Sequence, residues 1–457
     1  MKNLIRRFLK CFRHTEEQKN YLKNSKGKFS INTDGKIIAI QIQGESGFLK
    51  RFVDFSNNYS HSIIGLNLDK PHYSILDIVF PPLYLLKAFE QFLLTQLQYN
   101  FHRKINISNF LSPNYNIFKT IKYLPKAFIL FLSLKEKKDI LQIKYDTILI
   151  GDLIYDTYLR YFKKKTINVK DLNLVLLLAR TFYEINYLES ISKKIDIYLT
   201  GYTTYTNSGL PSRIFVKNDI EVYTFANFVS GKSLTLKDFS QFKKYWDYKK
   251  EFSILTNKNE KIVSGLELLN NRINGVNDLK YMRFNAYLKK DQIEDSKFEG
   301  VIFLHDFTDS SHVYRWSLFE DFYEWFLFLI NIIEKSNLNI GLKPHPNQNI
   351  TSKKIVDKLK REYHHLNWID ERIPNSYLFS SGIKFGISVY GTVLSELAYK
   401  KIMPICCGDN PTINYNFTFN AKSKQEFEDL IANYNKLTFK DNRLDEIGEF
   451  VYMNHIN

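Results

Sequence analysis

Alternating apolar runs and helix-like segments are clearest between residues 299 and 420. Short apolar runs predict five strands, at 301–304, 338–342, 366–369, 383–387 and 403–407. Between them, apolar side chains recur every three or four positions, most clearly over 317–335. Strands that alternate with helices indicate a parallel sheet with helices on both faces. We therefore predict an α/β fold with a doubly wound C-terminal domain.

The first half of the chain carries a weaker form of the same pattern. Apolar runs predict four strands there, at 36–43, 145–151, 195–199 and 220–225. Gly44 and Gly47 follow the first of these, as in an ordinary turn or where backbone approaches a phosphate or sugar. This half is predicted to form a second Rossmann-like domain, and the two domains are expected to face each other across a cleft.

The length of 457 residues exceeds what one ordinary core organises. The pattern favours a division into four segments: a basic amphipathic N-terminal segment (1–14), an N-terminal Rossmann-like domain with helical insertions (15–298), a C-terminal doubly wound domain (299–420), and C-terminal helices that pack back on the body (421–457).

The charge balance points to anionic partners. Lys and Arg number 64 and Asp and Glu 48, a formal net charge of +16. Nucleic acid, phosphorylated substrates and acidic membranes all fit such an excess, and an AT-rich genome would also produce it. The basic residues are spread along the chain instead of clustering with aromatic residues, which argues against a nucleic-acid-binding protein.

Other sequence features favour a cytoplasmic protein. The three cysteines, Cys11, Cys406 and Cys407, show neither a disulfide framework nor a metal-binding spacing. No apolar run reaches the ~20 residues needed to span a bilayer. Residues 1–13 place Leu4, Ile5, Phe8, Leu9 and Phe12 on one helical face. This segment is predicted either to lie on the inner face of an anionic membrane or to pack on its own domain.

Polar side chains follow each predicted strand of the C-terminal domain. Ligands of doubly wound sheets bind beyond the carboxyl ends of the strands. The residues expected at this edge are His305, Asp306, Asp309 and Ser310 after the first strand, Lys343, His345 and Pro346 after the second, Asp370 after the third, Ser388, Gly391 and Thr392 after the fourth, and Asn410 after the fifth.

Several of these residues suit a nucleotide-sugar. Gly391 and Thr392 begin a helix, whose free amides and dipole favour a phosphate. Glu396 lies one turn further on, where a carboxylate can accept bonds from ribose hydroxyls. His345 is held between two prolines and can donate to a phosphate oxygen, and Lys343 adds positive charge. Each feature also has a structural interpretation, as a tight turn, an ordinary helix start or a solvated helix residue.

The N-terminal domain offers fewer candidates. Asp152 and Asp156 are predicted catalytic bases, because Asp152 follows a predicted strand and Asp156 lies one turn later. The alternative is that Asp152 caps the helix and that Asp156 forms a surface ion pair with Arg160. Arg160, Tyr205 and Arg213 are further candidates for an acceptor groove. Asp306 and Asp309 of the C-terminal domain are additional candidate acids.

The sequence resembles GT-B-fold glycosyltransferases that build bacterial capsule and lipopolysaccharide. The resemblance is carried by Ile340–Pro346, by Tyr390-Gly391-Thr392 with Glu396, and by Pro404 with Gly408–Pro411; segments 303–311 and 150–160 add to it. Sialyltransferases and Kdo transferases of bacteria share a His-Pro turn and a later Ser or Thr that hold the phosphate of a CMP-sugar. The resemblance implies these roles for His345 and for Ser388 or Thr392. An acidic-acidic-Gly motif typical of the sialyltransferases is missing from the sequence.

The resemblance implies transfer of Kdo or a related sugar, from a CMP-sugar or another nucleotide-sugar, to a surface polysaccharide or glycolipid acceptor. No cofactor is expected, and transfer is expected to need no metal because Lys343, His345 and the helix dipole can neutralise the leaving group. The alternative is a metal ion held by Asp306 and Asp309. The alternatives are a CDP-polyol phosphotransferase, a UDP-sugar 2-epimerase and, outside enzymes, a nucleic-acid-binding protein.

Overall fold

The computed structural model describes residues 15–23, 28–29, 35–42, 47–59, 61–69, 72–113, 117–226, 231–275 and 298–457. The predicted amphipathic segment and Gly44 lie outside these residues. The chain divides into two compact units, Met1–Phe242 (unit 1) and Lys243–Asn457 (unit 2).

Unit 1 is built on a six-stranded sheet with the order β3-β2-β1-β6-β7-β8. All neighbours are parallel except β7 and β8. Its strands are β1 (Lys36–Gln41), β2 (His61–Leu66), β3 (Asn109–Leu111), β6 (Ile197–Thr200), β7 (Glu221–Thr224) and β8 (Lys232–Ser233). A separate antiparallel hairpin consists of β4 (Lys144–Tyr145) and β5 (Ile148–Leu149).

Successive residues of these strands are buried in cores on opposite sides of the sheet. Ile38 and Ile40 join one core, whereas Ala39 joins the other. Because helices cover both faces, the middle of β1 is a continuous apolar run, Ile37–Ile40, instead of alternating with polar residues. The covering helices are α1 (Glu16–Lys23), α2 (Gly47–Ser56), α3 (Ile75–Val79), α4 (Pro81–Arg103), α5 (Ile117–Ile121), α6 (Leu124–Ser133), α7 (Lys137–Leu141), α8 (Gly151–Phe162), α9 (Asn173–Ser192) and α10 (Leu210–Lys217), with a π-helix at Tyr205–Gly209.

Unit 2 contains a fully parallel six-stranded sheet with the order β11-β10-β9-β12-β13-β14. Its strands are β9 (Gly300–Phe303), β10 (Ile340–Lys343), β11 (Asn367–Trp368), β12 (Phe385–Ile387), β13 (Met403–Cys407) and β14 (Phe419–Ala421). The strand order reverses between β9 and β12, which is the arrangement of a doubly wound sheet. The predicted α/β class is therefore confirmed, and β14 extends the sheet beyond the five predicted strands.

A side-chain cap sets the start of the long helix that follows the first strand of unit 2. Asp321 accepts bonds from the amides of Tyr323 and Glu324, so the helix predicted from residue 317 begins only at residue 322. The helices are α11 (Tyr248–Ser253), α12 (Lys258–Ile273), α13 (Phe322–Lys335), α14 (Ile350–Glu362), α15 (Asn375–Ser380), α16 (Val393–Tyr399), α17 (Lys424–Ala432) and α18 (Arg443–Val451). Short 3-10 turns lie at Tyr245–Asp247 and Tyr434–Lys436, and a π-helix lies at Tyr452–Ile456.

The division between the units differs from the predicted boundary at residue 298. Helix α12 packs closely on α18, which assigns it to unit 2. A Cβ atom on Gly265 would lie 2.2 Å from the carbonyl oxygen of Gly448, so glycine permits the close approach. Hydrophobicity patterns along the chain do not reveal such a contact between distant helices.

Two strand predictions in the first half need correction. The strand predicted at 145–151 is the short hairpin of β4 and β5, and it lies outside the parallel sheet. Asp146 adopts a left-handed backbone conformation with φ of 50°, which closes the hairpin turn. Strand β2, which the pattern did not predict, pairs along its whole length with β1.

Candidate functional site

The carboxyl ends of β9, β10 and β12 bring polar side chains together in unit 2. Lys343 is the last residue of β10, His305 is the second residue after β9, and Ser388 is the first residue after β12. β9 lies between the other two strands, so these side chains meet at the point where the strand order reverses. This edge is where doubly wound sheets bind ligands.

Lys343 is a buried cation at this edge. Its side chain is 2% exposed, and its Nζ donates to Asn375 Oδ1 at 3.0 Å. Asn375 in turn donates through Nδ2 to Glu396 Oε2 at 3.2 Å. Burial lowers the pKa of Lys343 to about 8, against the opposing effect of Glu396. Burial also raises the pKa of Glu396, although Asn375 and Lys343 oppose the shift. The three groups form one polar chain.

The imidazole of His345 is oriented by its own turn. The backbone amide of Asn347 donates to His345 Nδ1 at 3.1 Å. A neutral ring with Nδ1 as acceptor carries its proton on Nε2, which is then a hydrogen-bond donor. Burial and the nearby Lys343 lower the pKa of His345, so the neutral ring is the form at neutral pH. Pro344 and Pro346 restrict the backbone on either side.

His305 lies in an aromatic environment next to this turn. Its ring stacks on Phe322 with a centroid separation of 4.5 Å and lies 4.6 Å from Tyr390. His305 Nε2 lies 3.2 Å from Ser388 Oγ, which donates to the carbonyl of Tyr390. Burial and the proximity of His345 lower the pKa of His305 to about 3. His305 is therefore a neutral, fixed group beneath the edge.

Gly391 and Thr392 precede the short helix α16. Gly391 has φ of 123°, a conformation that favours glycine, and it is exposed. Thr392 is partly exposed, whereas Ser388 is buried and already bonded to Tyr390. Of the two hydroxyls that the sequence left open as phosphate donors, that of Thr392 belongs to the more exposed residue.

Three predicted binding residues are instead held by neighbouring groups. Asp306 accepts from the amide and hydroxyl of Thr308 and from the amide and side chain of Asn349. Asp370 pairs with Arg372 at 2.6 Å, which lowers the pKa of Asp370 to about 2. Both carboxylates thus stabilise local turns.

Asn410 is the third of these residues. It is fully buried, and its Oδ1 accepts from the amide and hydroxyl of Thr412 at 2.9 and 2.6 Å. Ser310 is also buried, and its carbonyl accepts from Tyr390 Oη at 3.3 Å. Asp309 is exposed, and its charge opposes the downward pKa shift of His345. Asp309 thus lies on the solvent side of the predicted site.

In unit 1, Asp152 forms an ion pair that the sequence did not predict. Asp152 Oδ1 accepts from Arg213 Nη1 at 2.6 Å, and Oδ2 accepts from Nη2 of the same guanidinium. Arg213 also donates to the carbonyl of Leu149 and lies over the ring of Phe239. The expected position of Asp152 at the parallel sheet is corrected, because the preceding strand belongs to the hairpin. Both carboxylate oxygens are occupied by Arg213, so Asp152 has a structural role in an ion pair and does not cap the helix, whose N-cap residue is Ile150.

Asp156, Arg160 and Tyr205 come closer to the sheet edge of unit 1. Asp156 is 3% exposed, so it lies inside the unit and not at its surface. The neighbouring Thr157 hydroxyl accepts from the amide of Thr206 at 2.8 Å. The guanidinium of Arg160 lies 6.0 Å from the ring centroid of Tyr205, whose φ is 59°. Helix α8 is thereby joined to the π-helix that follows β6.

Sequence reasoning missed Asn375, although it begins the helix after the third predicted strand. It also missed a cluster around Asp409, a buried carboxylate after β13. Asp409 accepts from Arg315 Nε at 2.9 Å and from the hydroxyl of Tyr245. The guanidinium of Arg315 lies 4.6 Å from the ring centroid of Trp246. The polar residue after Gly408 was a signal for this cluster, but its partners lie far away in the sequence.

Within the described ranges, no group of three or more His, Cys, Asp or Glu side chains is arranged to hold a metal ion. The helices in the described part of the chain include none that is both long and apolar enough to cross a membrane.

No protein-family model matches the chain, and no curated protein matches it. Solved structures with a similar fold include HepE from Anabaena in complex with UDP, which is 8% identical over 92% of this chain and 94% of that chain, with a TM-score of 0.29. A UDP-GlcNAc 2-epimerase from Methanocaldococcus jannaschii is 12% identical over 90% and 97%, with a TM-score of 0.30. A trehalose-phosphate synthase from Burkholderia vietnamiensis is 8% identical over 92% and 96%, with a TM-score of 0.30.

Proposed function

We propose that this protein is a nucleotide-sugar-dependent glycosyltransferase and that unit 2 binds the donor. The observation that carries the proposal is the pairing of His345 and Lys343 at the carboxyl edge of the sheet. His345 presents an Nε2–H donor, because its Nδ1 is occupied by the amide of Asn347. Lys343 supplies positive charge from the last residue of β10. A donor and a cation at this position suit the phosphate of a nucleotide.

In the proposed reaction, the bond between the anomeric carbon and the phosphate oxygen of the donor breaks. The oxygen of an acceptor hydroxyl forms the new bond to that carbon and loses its proton to a base. Negative charge develops on the departing nucleoside phosphate. His345 and Lys343 stabilise that charge, and the partly exposed Thr392 hydroxyl adds a further donor.

Glu396 is proposed to bind a hydroxyl pair of the nucleotide-sugar. Its carboxylate is oriented by Asn375, whose Nδ2 lies 3.2 Å away. The link through Asn375 to Lys343 couples recognition of the neutral part of the donor to recognition of its phosphate. Loss of either end would then weaken both contacts.

Unit 1 is proposed to supply the acceptor site and the base. Of the two predicted bases, Asp156 is favoured, because both oxygens of Asp152 bind Arg213. The identities of the two substrates are proposed from the sequence resemblance. The donor is a CMP-sugar such as CMP-Kdo, and the acceptor is a bacterial surface polysaccharide or glycolipid. Metal-independent transfer by a cytoplasmic enzyme, with residues 1–13 on the membrane, belongs to the same proposal.

A UDP-sugar 2-epimerase is the second candidate. The position of Glu396 favours it, because this carboxyl group is held by Asn375 in one polar chain with Lys343 and could move a proton to or from the sugar. A CDP-polyol phosphotransferase would use the same phosphate contacts, but the acceptor oxygen would attack the phosphorus that carries the polyol, and CMP would leave. These candidates differ in their products and not in the site that holds the nucleotide.

Thermal shifts of the full chain with CMP, CDP, UDP and GDP test the proposal. At a nucleotide concentration 100 times Kd, binding stabilises the folded protein by about 2.7 kcal/mol. We expect at least one nucleotide to raise the melting temperature, and Lys343→Met to remove that increase. If none of the four stabilises the protein, the donor site is wrong. Products formed from the corresponding nucleotide-sugar with and without acceptor then separate transfer from epimerisation.

A further inference from the structure

Unit 1 contains an apolar pocket that is lined mainly by residues of its helices. The cavity has a volume of about 330 Å³, within the size range of small-molecule sites. Its lining includes Ile75 and Ile78 of α3, Thr120 and Ile121 of α5, and Leu177 of α9. The walls are predominantly hydrocarbon, so the pocket suits an apolar ligand in place of a sugar or a nucleotide.

The mouth of this pocket is surrounded by exposed apolar side chains. Ile78 and Ile121 line the pocket and are also 36% and 45% exposed. Leu124, another lining residue, begins a stripe on α6 that continues with Phe128 and Leu132 at four-residue intervals. We call the following residues the apolar rim: Ile78, Val79, Phe80, Leu83, Ile121, Phe128 and Leu132, all exposed. Contiguous exposed apolar surface on a soluble domain marks an interaction site.

Basic residues accompany the apolar rim. Lys119, Lys122 and Lys126 are exposed on the same stretch that carries Ile121. In the described part of unit 1, none of these three forms an ion pair with a carboxylate. Residues 72–134 contain six Lys and Arg but only two acidic residues, and one of these, Asp77, is buried and paired with Lys87 at 2.6 Å. The partner of this surface is therefore expected to be anionic as well as apolar.

We propose that the pocket receives the hydrocarbon chain of an anionic membrane lipid, with the apolar rim inserted in the bilayer interface. Apolar side chains flanked by lysines are the composition of surfaces that bind such interfaces. A pocket that opens among them gives a lipid chain a path out of the bilayer without exposure to water. The inference rests on unit 1 alone and does not depend on the transferase activity.

Co-sedimentation of the full chain with vesicles tests the surface. We expect binding to vesicles of phosphatidylglycerol and phosphatidylcholine, weaker binding to phosphatidylcholine alone, and loss of the difference at high salt. Leu132→Ser should weaken binding roughly tenfold, since the side chain would leave the apolar phase. Leu236→Ser is the matched control, because Leu236 is similarly exposed in the same unit, at 61% against 65% for Leu132. Equal binding of the two variants would overturn the proposal.

A fluorescent fatty acid, 11-(dansylamino)undecanoic acid, tests the pocket itself. We expect saturable fluorescence enhancement with the wild type and its loss in Thr120→Trp, which fills the pocket from its partly exposed wall. Circular dichroism establishes that this variant is folded. Enhancement that survives in folded Thr120→Trp would overturn the pocket assignment. A dimer in gel filtration that Leu132→Ser dissociates, without vesicle binding by the wild type, would show that a second copy covers the rim. Nucleotide binding in unit 2 is read separately, so failure here leaves the proposed function intact.

Discussion

The two sheets share a central strand order but differ in the chemistry at the point where that order reverses. In unit 1 this point lies between β1 and β6, and neutral groups join the strands there. Gln41 donates to Ser208 at 2.6 Å and accepts from the hydroxyl of Thr200 and the amide of Gly201. In unit 2 the same point carries His305 and Ser388, with Lys343 and His345 on the adjoining strand and turn.

This difference shows that the fold provides an edge and that individual side chains decide its use. Gln41 is 7% exposed, and its side-chain amide forms hydrogen bonds within the protein. The polar groups at the edge of unit 1 therefore stabilise the fold. At the edge of unit 2, the Nε2–H of His345 is directed away from its own turn, because Nδ1 is the atom that binds Asn347. This difference is the reason for proposing that the anionic ligand binds to unit 2.

The largest expected effect is that of His345→Ala. Removing the proposed donor should lower turnover roughly 10²- to 10³-fold, as loss of one preorganised donor does in other enzymes. The loss is measured by steady-state kinetics, with the nucleotide-sugar whose nucleotide gives a thermal shift. Circular dichroism establishes that the variant is folded. His364→Ala is the control, since His364 is an exposed histidine of the same unit. Full activity of His345→Ala would remove the basis for distinguishing the two edges.

Gln41→Leu should act on stability alone. The substitution leaves the hydroxyls of Thr200 and Ser208 without their amide partner, and the expected loss is about 1–3 kcal/mol in the free energy of unfolding. Chemical denaturation measures this loss, and nucleotide affinity should stay within twofold of the wild type. Gln91→Leu is the control, because Gln91 donates to the carbonyl of Asp69 at an exposed position. This variant should lose little free energy of unfolding. A large loss of nucleotide affinity in Gln41→Leu would contradict the assignment of the donor to unit 2.

The smallest effect concerns pH. Because the pKa of Lys343 is lowered to about 8, its ammonium loses its charge as the pH rises through that value. Nucleotide affinity should fall above pH 8, by up to about tenfold per pH unit. The unfolded chain binds this proton up to its ordinary pKa near 10.5, so Lys343 makes stability rise with pH between about 8 and 10.5.

Isothermal titration calorimetry between pH 7 and 9.5 measures the affinity change. Lys343→Met should weaken nucleotide binding at pH 7 and flatten the fall in affinity at alkaline pH. Lys354 is an exposed lysine on α14, so Lys354→Met should leave both the affinity and its alkaline fall unchanged. An alkaline decline that persists unchanged in Lys343→Met would assign the titration to another group and separate Lys343 from the phosphate.

Local pattern predicted much of unit 2. Strand β13 has the predicted bounds, Met403–Cys407, because a buried parallel strand is a short continuous apolar run. The positions of His345, Ser388 and Gly391 after β10 and β12 followed from the same pattern, whereas Lys343 is the last residue of β10 instead of the first residue after it. Unit 1 was predicted less well, since β2 was missed and the hairpin of β4 and β5 was taken for a sheet strand.

By itself, the sequence determined the α/β class, the doubly wound C-terminal sheet and the residues that follow its strands, since these depend on periodicity along the chain. The tertiary structure decided which of those residues are engaged. Asp306 is held by Asn349, 43 positions away, and Asp152 by Arg213, 61 positions away. Lys343 reaches Glu396 only through Asn375. Hydrogen bonds and ion pairs act over a few ångströms in space, so partners far apart in sequence become visible only when the chain is folded.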